Sequence, residues 1–329
     1  MSNKKKFPKD KKYKAVIIGA GRIACGFDNR KTKRVLTQAH AFLLHKKVEL
    51  AGLFDTDKQK VKSASKKWGG KPFFDLDLML AEIKPEIISV CAPDNLHFSI
   101  LKKIVKYRPK IVICEKPVTT NVADTEKIIS LYKKNKIPIL VNYSRRFDVA
   151  VQNLKRELSR GKYGKIIAAS GVYSKGLLHN GSHLIDLALY LFGELEAAHS
   201  LFAISDYDKK DKTIAGFLQF RNCHQFYLLA ADQRNYFIFE LDIICEKARL
   251  RFVNEGYSLV VQTVKSDTFF SGYRILGAPK ERATQLDCAM YQMVNNVVDY
   301  LDGASSLISP IKNALITQKI CFMLSKKYV

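Results

Sequence analysis

The stretch AVIIGAGRIA, residues 15–24, decides the fold of the N-terminal part of this 329-residue chain. Its apolar first part runs into Gly19-Ala20-Gly21-Arg22-Ile23-Ala24, a Gly-x-Gly-x-x-Ala turn followed by helix-compatible sequence. The first glycine permits a tight turn, the second lets the backbone approach a pyrophosphate, and the small third residue lets helix and strand pack closely. Alone, the motif is weak, because a glycine-rich turn can exist without a ligand.

The sequence on either side of this turn alternates apolar strands with amphipathic helices. Strands are predicted at residues 14–18, 48–54, 87–90, 111–114 and 137–141, and helices between them at residues 58–68, 95–107 and 122–135. This alternation is typical of a parallel sheet covered on both faces, whose ligands collect at the carboxyl ends of the strands. We therefore predict a Rossmann dinucleotide-binding domain over residues 13–146.

The second predicted strand ends in Asp55, where a carboxylate can hydrogen-bond a ribose 2′-hydroxyl and repel a 2′-phosphate. The spacing from Gly21 is longer than the usual ~20 residues, because residues 28–40 resemble an inserted loop. We therefore predict that NAD is favoured. NADP remains an alternative, since Arg22 and Lys58 can serve a phosphate.

The pattern changes after residue 146. A helix near 150–159, one strand and a helix at 183–192 precede a run of short β segments from 212 to 264, with turns at 221–222, 246–247 and 254–256. Two amphipathic helices follow at about 282–301 and 310–327. We predict that residues 147–329 form an α+β substrate-binding and oligomerisation domain with a large, mostly antiparallel open sheet. Its final helices should pack back on the assembly, and residues 1–12 should form a disordered basic tail.

Composition narrows the possible functions. The net charge of +24 comes from 55 basic and 31 acidic residues, but the lysines are spread along the chain and no aromatic and basic residues interleave. We therefore predict solvated basic faces and no nucleic-acid site. The seven cysteines include no Cys-x-x-Cys pair, so neither a metal nor a disulfide framework is expected.

Targeting and membrane signals are weak. The N-terminal apolar stretch is too short for a signal peptide, and the apolar segment 184–204 is interrupted by Asp186, Glu194 and Glu196. We expect a cytoplasmic protein without a membrane span.

Four further motifs follow the glycine turn in a specific order. They are Cys91-Ala92-Pro93-Asp94-Asn95-Leu96-His97, Glu115-Lys116-Pro117, Asn142-Tyr143-Ser144-Arg145-Arg146-Phe147 and Gly181-Ser182-His183-Leu184-Ile185-Asp186. In this order the chain resembles the glucose–fructose oxidoreductase, inositol dehydrogenase and rhizopine catabolism family over nearly its whole length. The resemblance implies an NAD(P)-dependent dehydrogenase or reductase acting on CH-OH groups.

The resemblance also implies roles for individual residues. Ala92, Pro93, Asn95 and His97 would border the cofactor, although His97 can equally cap a helix, and Glu115 would contact the nicotinamide ribose. Lys116 would reach the reacting hydroxyl, and His183 would be the general base. This chemistry is reasonable, because imidazole titrates near neutrality and an ammonium stabilises a developing alkoxide.

One position departs from the family, since His179 stands where an aspartate is usual. Either His179 relays the proton, or Asp186 orients His183, or catalysis has been lost. The candidate substrate residues are Arg145, Arg146, Tyr173, Lys175 and Asn180, and the two arginines can equally form structural ion pairs.

The leading functional prediction is hydride transfer between a nicotinamide and a secondary hydroxyl or keto group of a sugar, cyclitol or nucleotide-linked sugar. The basic surface mildly favours a phosphorylated substrate. The alternative is a catalytically silent dinucleotide-binding regulator or sensor of the same fold. We also expect a homo-oligomer, a dimer or tetramer, formed through the C-terminal sheet.

Overall fold

The computed structural model describes residues 12–328, so the predicted basic tail lies, apart from Lys12, outside the described residues. The chain divides into two compact units. One contains the residues up to 142 together with 288–312, and the other contains 143–287 together with the residues from 313 onward. Residues 288–312 thus belong to the first unit, whereas the sequence assigned both final helices to the second domain.

A six-stranded parallel sheet organises the first unit, in the order β3-β2-β1-β4-β5-β6. Its strands are β1 Tyr13–Ile18, β2 Val48–Phe54, β3 Lys71–Phe73, β4 Ile87–Val90, β5 Ile111–Cys114 and β6 Ile139–Val141. The strands β4 and β5 are buried at every position, as expected for a sheet covered on both faces. The predicted Rossmann sheet is confirmed. The sequence missed β3, which has only three residues, one of them Pro72.

Helices cover this sheet. They are α1 Gln38–Leu44, α2 Lys58–Trp68, α3 Leu76–Ile83, α4 Asp94–Ile104, α5 Val122–Lys134 and α8 Ala289–Leu301. In α2, Val61, Ala64 and Trp68 are buried at helical spacing, and the Asp57 carboxylate caps the first turn. The sequence began the penultimate helix near residue 282, which is wrong. Residues Lys280–Ala283 instead form an exposed edge strand.

The segment after the glycine turn departs most from the sequence prediction. Arg22–Gly26 forms a single π-helical turn, and α1 starts only at Gln38, after an irregular loop. The buried carboxylate of Asp28 holds this loop, since it accepts hydrogen bonds from the Leu36 and Thr37 amides and from the Thr37 hydroxyl, and contacts His40 Nδ1 at 2.9 Å. The segment predicted as an inserted loop, residues 28–40, is thus irregular up to Thr37, and its last residues belong to α1.

The second unit contains a nine-stranded sheet in the order β14-β13-β12-β11-β7-β10-β9-β8, with β15 paired to β13. The strands are β7 Ile166–Tyr173, β8 Leu195–Asp208, β9 Asp211–Phe220, β10 Cys223–Ala230, β11 Phe239–Cys245, β12 Ala248–Val253, β13 Ser258–Ser266, β14 Arg274–Leu276 and β15 Lys280–Ala283. Every pairing is antiparallel except that of β7 with β10. The predicted, mostly antiparallel open sheet is confirmed.

Three helices contribute to the apolar core over this sheet, namely α6 Val149–Ser159, α7 Ser182–Phe192 and α9 Ile311–Ser325. Of α9, the residues from 313 onward belong to this unit. Leu184, Phe192 and Phe226 are among its fully buried members. Among residues 12–328, no helix is long and apolar enough to cross a membrane.

Candidate functional site

The glycine turn has the geometry of a cradle for a pyrophosphate. Gly19 has a φ of +94°, and a Cβ there would lie 2.7 Å from the Ala92 amide nitrogen, so the fold itself requires this glycine. A Cβ at Gly21 would meet nothing within 4 Å. Gly21 therefore leaves open space beside the turn, and Ala24 is fully buried where a small residue is needed. These residues fit a dinucleotide cofactor.

Asp55 lies beside this turn at the end of β2. Its Oδ2 accepts a hydrogen bond of 2.8 Å from the Ala20 amide, and its Oδ1 accepts one of 3.0 Å from the Asp57 amide. The two cations that could serve a 2′-phosphate lie against aromatic rings instead, with Arg22 over Phe27 and Lys58 near Phe74. The held carboxylate is consistent with a preference for a ribose hydroxyl.

His97 connects two strand-end loops. It is buried in α4, with Nε2 2.8 Å from the Ala92 carbonyl oxygen and Nδ1 2.8 Å from the Pro117 carbonyl oxygen. Its role is therefore to hold these two loops together. Pro93 and Asn95, from the same motif, are exposed at the start of α4.

Glu115 follows β5 and is held by two side-chain amides. Gln38 Nε2 donates to its Oε1 at 2.5 Å, and Asn142 Nδ2 donates to the same oxygen at 2.8 Å. Burial raises the pKa of Glu115, and these two hydrogen bonds oppose that shift. Both of these hydrogen bonds end on Oε1, so Oε2 is the oxygen that could accept a ribose hydroxyl.

Lys116 comes directly after Glu115 and is half-buried at the carboxyl edge of the first unit's sheet. The peptide bond between Lys116 and Pro117 is cis. Lys116 therefore lies next to Glu115, and the role that the resemblance implies for it, action on the reacting oxygen, stays a prediction.

In the second unit, His183 lies in the first turn of α7 and is half-buried. Its ring meets the ring of Tyr143 edge to face, with the centroids 5.5 Å apart. Burial raises the pKa of Tyr143 well above its usual value, so this ring is a neutral wall against the imidazole. Tyr143 thus packs against His183.

The Asp186 carboxylate accepts hydrogen bonds from groups other than His183, although orientation of His183 by Asp186 was one of the alternatives left open by the sequence. Its carboxylate receives Arg146 Nε at 2.7 Å and Nη2 at 2.8 Å, and Thr317 Oγ1 at 3.2 Å. Asp186 and Arg146 are both almost fully buried. Burial raises the pKa of Asp186, although Arg146 and Thr317 act against that shift. The pair belongs to the core, and Arg146 is occupied by it rather than presented to a substrate.

His179 is exposed in the π-helical turn Gly176–Gly181, ahead of α7. Its ring lies 5.2 Å from the ring of Tyr207, and its amide donates to Asp211 Oδ2. Lys175 has a φ of +75° and places its Nζ 5.0 Å from the same tyrosine ring. The two side chains therefore flank Tyr207, a residue that the sequence did not single out.

Three other substrate candidates have structural partners. Tyr173 is fully buried, and its hydroxyl bonds both the amide and the carbonyl of Ile214. The Asn180 amide donates to the Ser174 carbonyl oxygen and is also buried. The Arg145 guanidinium lies 3.4 Å over the Phe239 ring, and burial lowers the pKa of Arg145 to about 10. The prediction that Tyr173 and Asn180 contact a substrate is therefore corrected, because both are core residues. Arg145 packs on an aromatic ring.

The sequence missed Gln38 and gave no role to Asn142. Gln38 has no signal in the sequence, because it lies within the apparent inserted loop, where no hydrophobic periodicity predicts a helix. Asn142 had a usable signal, since it is a polar residue directly after a buried strand at the carboxyl edge of the sheet. Among the described residues, no cluster of His, Cys, Asp or Glu has the arrangement of a metal site.

A parallel sheet with this glycine turn, a carboxylate after the second strand and a second carboxylate after the fifth has the features of a dinucleotide-binding Rossmann domain. Residues 13–143 match the model of the oxidoreductase family with an NAD-binding Rossmann fold. Over the N-terminal two fifths of the chain, this match agrees with the resemblance to the glucose–fructose oxidoreductase, inositol dehydrogenase and rhizopine catabolism family that the motifs predicted. The predicted nicotinamide dinucleotide is the cofactor class of that family.

Among similar proteins, an uncharacterized oxidoreductase of Schizosaccharomyces pombe is 27% identical over 141 residues, 37% of this chain and 38% of that protein. The myo-inositol 2-dehydrogenase of Thermotoga maritima is 24% identical over 197 residues, 54% of each chain. The matches thus span only about two fifths to one half of these relatives.

Solved structures resemble the whole fold. The WlbA dehydrogenase of Bordetella pertussis, in complex with NADH and UDP-GlcNAcA, has a TM-score of 0.78 at 16% identity and 97% coverage of both chains. At this identity the likeness establishes the fold alone.

Proposed function

We propose that this protein is an NAD(P)-dependent oxidoreductase that transfers a hydride between the nicotinamide and a secondary hydroxyl or keto group. The observation that carries the proposal is the arrangement at the carboxyl edge of the first unit's sheet. Gly21 leaves space for a pyrophosphate, Asp55 is held beside the turn, and Glu115 is held through one of its two carboxylate oxygens. Each of these groups follows a different strand, as ligand-binding groups in Rossmann folds do.

Hydride transfer requires a different role from each of the proposed site residues. The bound dinucleotide supplies the hydride acceptor or donor. Glu115, held by Gln38 and Asn142, orients the nicotinamide ribose through its open Oε2. His183 accepts the hydroxyl proton as hydride leaves carbon, and the Lys116 ammonium stabilises the developing alkoxide.

The proposed substrate class is a sugar, cyclitol or nucleotide-linked sugar. One of the relatives named above is a myo-inositol 2-dehydrogenase, and the WlbA structure contains a nucleotide sugar. The net charge of +24 adds mild support for a substrate that carries phosphate.

The test combines a substrate screen with a variant of the glycine turn. Protein with NAD or NADP and a panel of sugars, cyclitols and nucleotide sugars should produce or consume reduced nicotinamide absorbance with at least one substrate. Gly21→Val fills the space that the pyrophosphate needs, so NAD affinity should fall about 100-fold or more, or about 2.8 kcal/mol. Gly26→Ala is the matched control, because a Cβ there makes only ordinary contacts from 3.5 Å. Unchanged NAD binding to Gly21→Val in calorimetry would show that the site assignment is wrong.

Within this function, we expect Asp55 to set the choice between NAD and NADP. Asp55→Ser removes the charge that repels a 2′-phosphate, so the affinity ratio should move towards NADP by about tenfold or more. Asp57→Ser removes a carboxylate two residues away yet retains a helix cap, and should leave the ratio unchanged. The two dissociation constants are measured by calorimetry. A wild-type protein that already binds NADP about tenfold more tightly than NAD contradicts this prediction.

One observation favours the alternative of a catalytically silent sensor. His179, at the position where the family usually has an aspartate, is exposed and lies against Tyr207. A sensor would bind the dinucleotide and lack turnover with every member of the substrate panel. The same screen therefore separates the two functions.

The proposed homo-oligomer would form through the open face of the nine-stranded sheet. Exposed apolar side chains on that sheet alternate with buried ones, namely Ile167, Tyr227, Leu229 and Ile244. Tyr227 also packs against Phe217, with ring centroids 5.3 Å apart. A set of apolar groups on one sheet face is typical of a surface that a second subunit covers.

A further inference from the structure

Asn142 contains a buried acceptor that the fold does not use. The side chain is 3% exposed, and its Oδ1 has no hydrogen-bond partner among the described residues. The Asn142 backbone is fixed at the carboxyl edge of the sheet, because its amide donates to the Cys114 carbonyl oxygen at 2.9 Å. A buried amide oxygen without a partner is costly, so its presence in a native site indicates a ligand that supplies the donor.

The orientation of the Asn142 amide is determined by its neighbours. Nδ2 donates to Glu115 Oε1 at 2.8 Å and lies 3.4 Å from Met290 Sδ. An ionised carboxylate only accepts hydrogen bonds, so the nitrogen rather than the oxygen must face Glu115. The oxygen is therefore turned away from Glu115 and remains available.

A row of buried groups fixes Glu115 from the other side. The Ser89 hydroxyl donates to Gln38 Oε1, and Gln38 Nε2 donates to Glu115 Oε1 at 2.5 Å. Ser89 and Gln38 are both fully buried. The hydroxyl, the two amides and the carboxylate thus form one preorganised polar unit, which ends at the unpaired oxygen of Asn142.

We propose, resting on the proposed function, that Asn142 Oδ1 binds the carboxamide of the nicotinamide by accepting a hydrogen bond from its N–H. Glu115 Oε2 faces the ribose in that function, and the carboxamide is the amide donor nearest to this ribose in the dinucleotide. Gln38 is a positioning residue, because it acts only through Glu115. The same polar unit would then contact both the nicotinamide ribose and the nicotinamide ring.

The test uses NAD and 3-acetylpyridine adenine dinucleotide, in which a methyl group replaces the carboxamide nitrogen and so removes the N–H donors. Wild-type protein should bind NAD about tenfold more tightly than the analogue in calorimetry. Asn142→Ala should lose this preference and bind both dinucleotides with similar, reduced affinity. Gln38→Ala is the matched control, which should weaken both dinucleotides and retain the preference.

The outcomes separate this inference from the proposed function. Equal binding of the two dinucleotides to wild-type protein overturns the inference alone, and so does a preference that survives in folded Asn142→Ala. Binding of neither dinucleotide to wild-type protein overturns the proposed function and the inference with it. The wild-type comparison requires no substitution, so a folding defect in Asn142→Ala does not remove the test.

Discussion

Lys116→Ala and His183→Ala are each expected to lower turnover by about 10²- to 10⁴-fold while NAD affinity is nearly unchanged. The lysine variant loses the charge that stabilises the alkoxide, and the histidine variant loses the proton acceptor. The two losses should not add in the double variant, because both residues are proposed to act on one proton transfer.

Steady-state kinetics with the substrate from the screen, together with calorimetry for NAD, measures this effect. The matched controls are Lys127→Ala, a surface lysine paired with Asp124, and His224→Ala, an exposed histidine near Glu196. Both controls should retain wild-type turnover. If instead Lys116→Ala and His183→Ala keep full turnover, the assignment of the catalytic residues is wrong.

Asp186→Ala is expected to destabilise the second unit by about 3–5 kcal/mol, the usual cost of leaving one member of a buried ion pair unpaired. The substitution leaves the Arg146 guanidinium in the core without its two hydrogen bonds of 2.7 and 2.8 Å. Thr317 loses its bond to the carboxylate as well. The loss is measured by chemical denaturation, followed through a probe in the second unit.

The matched control for this prediction is Glu194→Ala, which breaks the exposed pair of Arg221 and Glu194 in the same unit. Exposed ion pairs contribute about 0–1 kcal/mol, so little change is expected there. The double variant Arg146→Met, Asp186→Leu should recover much of the lost stability, because apolar replacement of a buried pair is often neutral or stabilising. Equal, small losses for Asp186→Ala and Glu194→Ala contradict the assignment of Asp186 to a structural pair.

Local patterns were sufficient for most of the architecture. The continuous apolar run Ile111–Cys114 predicted a parallel strand, because strands buried on both faces are apolar along their length. The turns at 221–222 and 246–247 separated the antiparallel strands as predicted. The glycine turn and Asp55 were predictable as well, because their roles depend on their place next to a strand end.

Long-range partners were beyond the reach of these patterns. Nothing local distinguishes an arginine that meets a ligand from one that meets Asp186, 40 residues away. In the same way, Gln38 reaches Glu115 across 77 residues, and Tyr173 reaches Ile214 across 41. Periodicity reports which face of an element is buried, but not which polar group from elsewhere lies opposite.

The sequence by itself thus determined the fold class and the residues that follow each parallel strand, since these depend on short-range order and hydrophobic pattern. Only the tertiary structure decided which of the polar residues are held in the core and which remain open. Asp186, Arg146 and Asn180 are held, whereas Asn142 keeps an oxygen without a hydrogen-bond partner in the described part of the chain. The physical reason is that a buried polar group must be paired, and its partner is chosen by packing between segments distant in the chain.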